Sequence, residues 1–311
     1  MTQTNKKTLH ERNFHNDRYD FKALIQSEPS LNEFVKPNKY GDLSIDFANP
    51  QAVIALNKAL LSFFYGVKNW SIPSDYLCPP IPGRSDYIHH IADLLAASNG
   101  GKIPKGSNIK GLDVGIGANC IYPIVGVSVY GWSFTGSDID EVALKSAQNI
   151  INSNESLKEN IIVKLQTNSK NIFKNIISKE DKFDFTLCNP PFHKSQKDAI
   201  AGNKRKVQNL TKQVVSKAAL NFGGKNNELW CEGGEVAFIK KMIKESKEFS
   251  KNCLWFTTLV SRKENLDFIY DALEDIDVLE YKTINMAHGQ KISRVIAWTF
   301  LTQDEQKAWI K

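Results

Sequence analysis

The sequence predicts an α/β fold: a mainly parallel, doubly wound sheet that follows a small helical module. Two observations support this prediction. After about residue 100, short apolar runs typical of buried strands alternate with stretches of helical character. Before residue 70 there are no such alternating strand runs. Repeated βαβ order is characteristic of a parallel sheet covered by helices on both faces. At 311 residues, the chain is long enough for one large domain and a smaller appendage.

The first 80 residues are predicted to form the helical module. Apolar residues recur there at helical spacing, for example at Ala52, Ala55 and Leu60. A short stretch rich in proline and glycine follows, and a helix cannot continue through it. Its residues of this kind are Pro73, Pro79, Pro80, Pro82 and Gly83. We interpret this stretch as a linker, which divides the chain into an N-terminal module over residues 1–80 and a second domain over 81–311.

The second domain contains seven strand-like apolar runs. The predicted strands are 109–114, 133–137, 161–165, 183–188, 253–258, 276–284 and 295–301. A helix over 87–97 precedes them, and the helices predicted between them are 140–152, 171–178, 235–247 and 264–273. Residues 289–294 are predicted to form a loop before the last strand. Residues 193–234 form an irregular insertion, and insertions of that length are usually functional or disordered.

Composition narrows the possible partners and compartments. No apolar run approaches the roughly 18 residues that cross a bilayer, and the polar start lacks the apolar segment of a signal peptide, so we expect a cytoplasmic protein without a membrane partner. The five cysteines are scattered and form no C-x-x-C pair, which makes disulfides and a metal site unexpected. The net charge of +6 is only mildly basic. Seven lysines and arginines nevertheless lie between residues 193 and 217, against a single acid.

A cofactor site is predicted at the end of the first strand. Residues 111–119 read GLDVGIGAN, so Asp113, Gly115 and Gly117 lie where a strand turns into a helix. A dinucleotide fingerprint would need a third glycine where Cys120 stands. The D-x-G-x-G form instead resembles motif I of class I methyltransferases. That resemblance implies an acid facing the ammonium of S-adenosylmethionine and a glycine turn that accommodates the cofactor.

Asp138 is predicted to bind the ribose of that cofactor. It closes the second predicted strand, where a carboxylate can accept hydrogen bonds from both ribose hydroxyls. A simpler interpretation is that the glycines only make a tight turn and that Asp138 only caps the next helix. The glycine turn and the acid at this spacing, in a βαβ context, favour cofactor binding over that alternative.

The motif Asn189-Pro190-Pro191-Phe192 directly follows the fourth predicted strand. The lone pair of an adenine N6 is delocalised, so methylation requires that nitrogen to move towards sp³ geometry. The side-chain oxygen of Asn189 and the backbone carbonyl of Pro190 can accept its two hydrogens. Pro191 stiffens the turn, and Phe192 offers a face for stacking of a flipped base. As an isolated motif it would suggest a rigid turn with a packed phenylalanine. Its place at the end of the fourth strand, in a sheet whose first strand carries D-x-G-x-G, favours catalysis instead.

Together these features resemble the RlmF family of large-subunit ribosomal RNA adenine-N6 methyltransferases, which is related to human methyltransferase-like N6-adenine RNA enzymes. The resemblance covers nearly the whole chain. Besides the two motifs above it includes RYDF at 18–21, YGD at 40–42, IDF at 45–47, PGR at 82–84, YIH at 87–89, EGGE at 232–235, WFTT at 255–258 and GQKISR at 289–294. It implies a class I, Rossmann-like methyltransferase sheet and S-adenosylmethionine as the cofactor.

The resemblance also implies roles for further residues. Arg84 would contact the cofactor carboxylate, while Asn119, Asn171 and Asn189 would border the cofactor. The helical module and the basic segment after the catalytic motif would contact RNA, in the form of large-subunit ribosomal RNA or a pre-ribosomal particle. In that segment the RNA-binding candidates are Lys204, Arg205 and Lys206. A smaller basic patch is formed by His10, Arg12, His15 and Arg18.

Three other functions remain open at this level. Protein glutamine-N5 methyltransferases also use an Asn-Pro-Pro-aromatic turn, although theirs typically ends in tyrosine rather than in Phe192. A ribosome-assembly factor could retain the fold without turnover, but the intact set of Asp113, Gly115, Asp138 and Asn189 argues against a decayed site. A nicotinamide-dependent oxidoreductase fits least, because the third glycine is missing. The number of subunits is not predicted.

Overall fold

A computed structural model of the chain describes residues 9–195, 197–198, 226–288 and 291–309. Its amino-terminal part contains helix α1 (Phe21–Ser27), the two-residue strands β1 (Lys36–Pro37) and β2 (Leu43–Ser44), and helix α2 (Pro50–Tyr65). The two short strands pair antiparallel. The side chain of Asn49 caps the start of α2, and Gly66, with φ of +68°, ends it in the left-handed conformation that favours glycine. Helices therefore dominate this part, as the sequence predicts.

The rest of the described chain alternates helices with a seven-stranded sheet. Its elements are α3 (Ile81–Ser98), β3 (Lys110–Val114), α4 (Ile121–Tyr130), β4 (Ser133–Asp138), α5 (Glu141–Asn152), α6 (Glu155–Lys158), β5 (Ile161–Leu165), β6 (Phe183–Cys188), α7 (Asn226–Leu229), α8 (Gly234–Ser246), β7 (Cys253–Val260), α9 (Leu266–Glu274), β8 (Glu280–His288), β9 (Lys291–Thr299) and α10 (Gln303–Trp309). The strand order across the sheet is β5-β4-β3-β6-β7-β9-β8. The five strands from β5 to β7 are parallel to one another, so the predicted doubly wound sheet is confirmed.

The last two strands depart from the predicted order. β9 pairs antiparallel with both β7 and β8, and the β8–β9 pairing runs from Glu280 opposite Thr299 to His288 opposite Lys291. The chain thus ends its sheet in a long hairpin rather than in another βαβ unit. Residues 291–294, predicted as loop, belong to β9, because the hairpin pairs them with β8. Gly289 and Gln290 lie outside the described residues.

Residues 171–178 form turns instead of the predicted helix. The buried carboxylate of Glu245, on α8, accepts hydrogen bonds from the backbone N–H groups of Ile172, Phe173 and Lys174 at 2.6–3.1 Å. A side chain thereby satisfies three successive backbone donors. This distant anchor replaces the helical pattern that the local sequence favours.

The proline-rich stretch ends earlier than a linker interpretation predicts. Helix α3 begins at Ile81, so Pro82 and Gly83 lie in its first turn rather than before it, and the helix starts six residues before the predicted start at residue 87. A proline fits the first turn of a helix because the N–H it lacks would have no intrahelical partner there. Arg84 consequently lies on the first turn of a long helix.

The core lies on both faces of the sheet. On one face, buried residues of the amino-terminal helices, such as Leu24 and Leu60, share a continuous hydrophobic cluster with Ile91 of α3, Val125 of α4 and Trp255 of β7. A second cluster on the other face packs α8 and α9 against the sheet. The amino-terminal helices are therefore fixed to the sheet by shared core packing. Among the described residues, no helix has the length and apolar content needed to cross a membrane.

Polar residues add a second connection between the two parts. A chain of hydrogen bonds, each 2.7–3.3 Å long, runs through Tyr19, His15, Tyr65, Ser85, His89, Tyr130 and Arg12. Burial lowers the pKa of His15 to about 4 and is also the largest cause that lowers the pKa of His89 to about 4, so both rings are neutral at physiological pH. The network holds the segment before α1 against α2, α3 and α4.

Candidate active site

The predicted site residues meet because three parallel strands end side by side. β3 lies between β4 and β6, with Val114 opposite Ser137 on one side and Cys188 on the other. The chain leaves β3 into the glycine turn, β4 ends at Asp138, and β6 runs into Asn189. This is the point at which the strand order changes direction, where open α/β sheets bind their ligands. Segments far apart in sequence therefore border one cavity.

The glycine turn is fixed to the end of β4. The N–H groups of Gly115 and Ile116 donate to the carbonyl of Ser137 at 2.8 and 3.0 Å. Gly115 and Gly117 have φ of +77° and +64°, in the left-handed region that favours glycine. A Cβ added at Gly115 would meet no atom within 4 Å, so the backbone conformation, not crowding, requires glycine there. The turn is thus preformed.

The side chain of Asp138 stabilises this glycine turn and does not cap a helix. Its carboxylate accepts hydrogen bonds from the N–H groups of Gly117 and Asp140, each at 3.0 Å. Asp140, not Asp138, caps α5, because its side chain accepts from Val142 and Ala143. The simpler interpretation of Asp138 as a helix cap is therefore wrong. Burial is the main cause that raises the pKa of Asp138, whose side chain borders the cavity.

Asp113 is buried without a polar partner in the described part of the chain, as expected of a carboxylate whose partner is a cationic ligand. It is 1% exposed, and neither carboxylate oxygen has a hydrogen-bond partner among the described residues. Burial raises its pKa well above the ordinary range; nearby Asp138 adds to that rise, and Arg84 opposes it. A buried carboxylate without partners is costly unless a positive group or a proton compensates it. The ammonium of a methionine moiety has the required charge.

Arg84 is held in place by an aromatic partner. Its Nη1 donates to the hydroxyl of Tyr122 at 2.8 Å, and the guanidinium carbon lies 5.5 Å from the centre of the Tyr122 ring. Both residues border the cavity. The fixed guanidinium can still offer its other N–H groups to a carboxylate.

Most of the predicted cofactor residues surround this single cavity. Its lining includes Arg84, Gly115, Gly117, Asn119, Asp138, Asn171 and Asn189, together with Pro191 of the catalytic motif. Asp113, Pro190 and Phe192 do not line it. The lining also contains residues that sequence reasoning missed, among them Tyr76, Leu77, Gln166, Ser169, Glu228 and Phe238. These belong to loops or helices without a recognisable motif.

The catalytic motif leaves β6 directly after Cys188. Asn189 is half-buried and borders the cavity, and its side chain makes no hydrogen bond to the described residues. Pro190 is buried, whereas Phe192 is half-buried, belongs to neither core cluster, and lies with its ring centre 4.4 Å from that of His193. Phe192 is therefore not the packed core residue that a purely structural turn would use.

Only some of the predicted RNA-contacting residues are among the described residues. Lys204, Arg205 and Lys206 lie outside the described residues. In the smaller patch, Arg12 and His10 both contact the carboxylate of Asp93, at 2.6 and 2.7 Å. His15 is buried, as described above, whereas the Arg18 side chain is 87% exposed and pairs with Asp42. Three of these four residues thus serve internal contacts, which weakens the patch as an RNA surface.

One group of described side chains could offer three metal ligands, namely His10, His90 and Asp93. The carboxylate of Asp93 already contacts the guanidinium of Arg12 at 2.6 Å. A bound cation would have to compete with that fixed positive charge. The absence of a metal cofactor stays a prediction.

Known proteins match this chain over nearly its full length. Residues 3–302 match a family model described as RNA methyltransferase. The chain is 55% identical to ribosomal RNA large subunit methyltransferase F of Photobacterium profundum, over 98% of this chain and 95% of that one. It is 57% identical to the protein of the same name from Serratia proteamaculans, over 98% and 91%.

Solved structures of human METTL16 also match this chain over most of its length. The catalytic domain of human METTL16 in complex with the MAT2A 3′UTR hairpin 1 superposes with a TM-score of 0.80 at 29% identity, over 95% of this chain and 96% of that one. The N-terminal domain of human METTL16 in complex with SAH has a TM-score of 0.74 at 26% identity, over 95% and 100%. The predicted class I methyltransferase fold is confirmed, and the chain belongs to the RNA methyltransferase family.

Proposed function

We propose that this protein transfers a methyl group from S-adenosylmethionine to the N6 atom of one adenine in large-subunit (23S) ribosomal RNA. The observation that carries the proposal is the position of Asn189 at the end of β6, on the same cavity as the glycine turn and Asp138. An amide oxygen at that position can accept an amino hydrogen from a base beside the cofactor. The names of the relatives support this target and not a glutamine in a protein.

The cofactor assignment follows from the chain's own charges. S-adenosylmethionine supplies an electrophilic methyl group when bound. Asp138 would accept hydrogen bonds from the ribose hydroxyls, Asp113 would compensate the charge of the ammonium, and Arg84 would bind the carboxylate of the cofactor. Asn119 and Asn171, which border the same cavity, stay predicted cofactor contacts. The match to a structure solved with SAH supports this choice of cofactor.

The catalytic motif would act by positioning, without a strong base. Asn189 and the carbonyl of Pro190 accept the two amino hydrogens, which turns the nitrogen lone pair towards the methyl group. Pro191 keeps the turn rigid, so both acceptors are in place before the base arrives. The half-buried ring of Phe192 presents a surface on which the flipped adenine stacks.

Two parts of the chain would hold the RNA. We propose the helical module over residues 1–80 as one RNA-binding element and the basic insertion over 193–234 as the other. The substrate is large-subunit RNA, either free or in a pre-ribosomal particle, which implies action in the cytoplasm. The structural neighbour solved with an RNA hairpin supports RNA as the class of substrate.

The direct test is methyl transfer from labelled cofactor to deproteinised large-subunit RNA isolated from cells that lack this protein. We expect label in N6-methyladenosine at one position after nucleoside analysis. RNA from cells that contain the protein is the matched control and should accept little label. The same assay on pre-ribosomal particles and on total protein from the cells that lack this protein covers the other outcomes. Transfer to particles alone would revise the substrate form, and label in a protein glutamine with none in RNA would contradict the proposal.

The basic run at 204–206 gives a separate prediction. Replacing Lys204, Arg205 and Lys206 by alanine should weaken RNA binding and flatten its salt dependence. The slope of log Kd against log salt should fall by roughly one unit for each phosphate that the protein no longer neutralises. Equilibrium binding to large-subunit RNA between about 50 and 200 mM salt measures this slope.

A matched variant removes three other exposed lysines, Lys102 and Lys105 before β3 and Lys158 before β5. They lie near the amino ends of these strands, away from the cavity at the carboxyl ends. This variant lowers the net charge by the same three units as the 204–206 variant. Its slope should stay close to that of the unmodified protein. Equal slopes for both triple variants would assign the 204–206 run to an ordinary solvated surface.

A further inference from the structure

One acidic residue that lines the cavity, Glu228, belongs to neither the glycine turn nor the catalytic motif. Glu228 lies on the short helix α7, 39 residues after Asn189 in sequence, and lines the cavity beside Gly117 and Asp138. Its Oε1 would be 3.6 Å from a Cβ placed on Gly117. The carboxylate therefore lies against the glycine turn.

Glu228 also contacts a third part of the chain. Its Oε2 accepts a hydrogen bond from the backbone N–H of Leu77 at 3.1 Å, and Leu77 itself lines the cavity. Leu77 belongs to the proline-rich segment before α3. A hydrogen bond from an N–H to a carboxylate is stronger than one between neutral groups. One side chain thus joins α7 to the segment before α3, and both line the cofactor cavity.

The residues that follow Glu228 are paired with the catalytic segment. The N–H of His193 donates to the carbonyl of Leu229 at 3.0 Å, and the N–H of Cys231 donates to the carbonyl of His193 at 3.2 Å. His193 and Trp230 form a parallel bridge. Because His193 directly follows Phe192, this pairing fixes the end of the catalytic motif. We call residues 228–231 the return segment.

The chain just after the return segment packs closely against the chain just after the catalytic motif. A Cβ added at Gly234 would lie 2.7 Å from Cγ and 3.4 Å from the backbone nitrogen of Lys194, one residue after His193. Gly234 also has φ of +69°, where a side chain would be strained. The chain returning into α8 therefore lies directly against the chain leaving the catalytic motif.

We propose that Glu228 is a positioning residue that clamps the return segment across the cofactor cavity, and so couples cofactor binding to the geometry of the Asn189–Phe192 motif. The clamp joins the glycine turn and Leu77 at one end to His193 at the other. A cofactor that contacts the glycine turn favours the clamped arrangement, and the clamped arrangement favours cofactor binding to the same extent. The inference rests on the cofactor named above, but not on the RNA target.

The test compares E228A, E228Q and E232A. Glu232 is an exposed acid next to the return segment and serves as the matched control. Calorimetric titration with S-adenosylhomocysteine, without RNA, measures affinity. Hydrogen exchange of peptides that cover residues 189–193 and 226–234, with and without the same ligand, measures the coupling. Both readouts are independent of catalytic turnover.

E228A should bind S-adenosylhomocysteine about tenfold more weakly, the size expected for the loss of a hydrogen bond to a charged group. Ligand-induced protection of the 189–193 peptide should also disappear. E228Q keeps an oxygen that can accept from Leu77 and should restore most of this protection, whereas E232A should match the unmodified protein. If E228A retained both affinity and protection, or if E228Q failed as completely as E228A while folded, the clamp would be refuted. Neither result would bear on whether the substrate is ribosomal RNA.

Discussion

Replacing Asn189 by alanine is expected to lower the rate of methyl transfer by roughly a thousandfold, the size seen when one preorganised polar group is removed from a transition state. Cofactor affinity should change little, because in the proposed site Asp138 and Arg84 hold the cofactor and Asp113 compensates its charge, whereas Asn189 only borders it. Single-turnover transfer to large-subunit RNA, combined with titration of S-adenosylhomocysteine, separates the two effects.

The expected split between rate and binding is specific to the proposed role. Asn160, whose side chain forms an exposed hydrogen bond to the carbonyl of Ser156, provides a matched asparagine-to-alanine control and should transfer at the normal rate. F192A should instead reduce activity mainly through the RNA substrate, since it removes a stacking surface. A large loss of cofactor affinity in N189A would show that Asn189 holds the cofactor rather than the amino group.

The parallel part of the fold could be predicted because its signals are local. Residues 161–165 and 183–188 form strands with the predicted bounds, since short, mainly apolar runs of this length are typical of strands. The glycine turn and Asn189 were recognisable for the same reason, because each motif is contiguous in sequence. Their meeting at one cavity then follows from the rule for strand ends in parallel sheets.

What could not be predicted depends on distant partners. The turns at 171–178 exist because Glu245 accepts three backbone N–H groups from another part of the chain. The hairpin of β8 and β9 was missed because two apolar runs give no sign of whether they pair parallel or antiparallel. Glu228 has no motif around it, and only the folded chain brings it to Gly117 and Leu77.

The amino-terminal histidines show how burial changes the meaning of a charge pattern. In the sequence, His10, Arg12, His15 and Arg18 resemble a small basic patch. In the structure the ring nitrogens of His15 form hydrogen bonds with the hydroxyls of Tyr19 and Tyr65, and burial lowers the pKa of His15 to about 4. A neutral buried ring attracts no phosphate. Sequence alone does not reveal burial at this level, because the partners come from α2 and from the segment before α1.

Replacing Asp138 by alanine is expected to weaken cofactor binding by roughly a hundredfold. Two ribose hydroxyls would lose a charged acceptor, and each hydrogen bond to a charged group contributes about 1.5–3 kcal/mol. The turn would also loosen, because Asp138 accepts the N–H of Gly117 at 3.0 Å. Titration with S-adenosylhomocysteine measures the loss. At saturating cofactor, the remaining transfer rate should fall much less than in N189A, since the catalytic motif is intact.

The variant D138N separates charge from geometry, because its amide oxygen can still accept from Gly117. Burial raises the pKa of Asp138, so protonation competes with ribose binding at a higher pH than for an ordinary aspartate. Cofactor affinity of the unmodified protein should therefore fall as the pH is lowered towards that raised pKa, and it should be regained as the carboxylate ionises. D138N should lose the part of this acid-side change that Asp138 causes and keep any part that Asp113 causes, because the pKa of Asp113 is raised in both proteins. An identical pH profile in both proteins would assign the ribose contact to another residue.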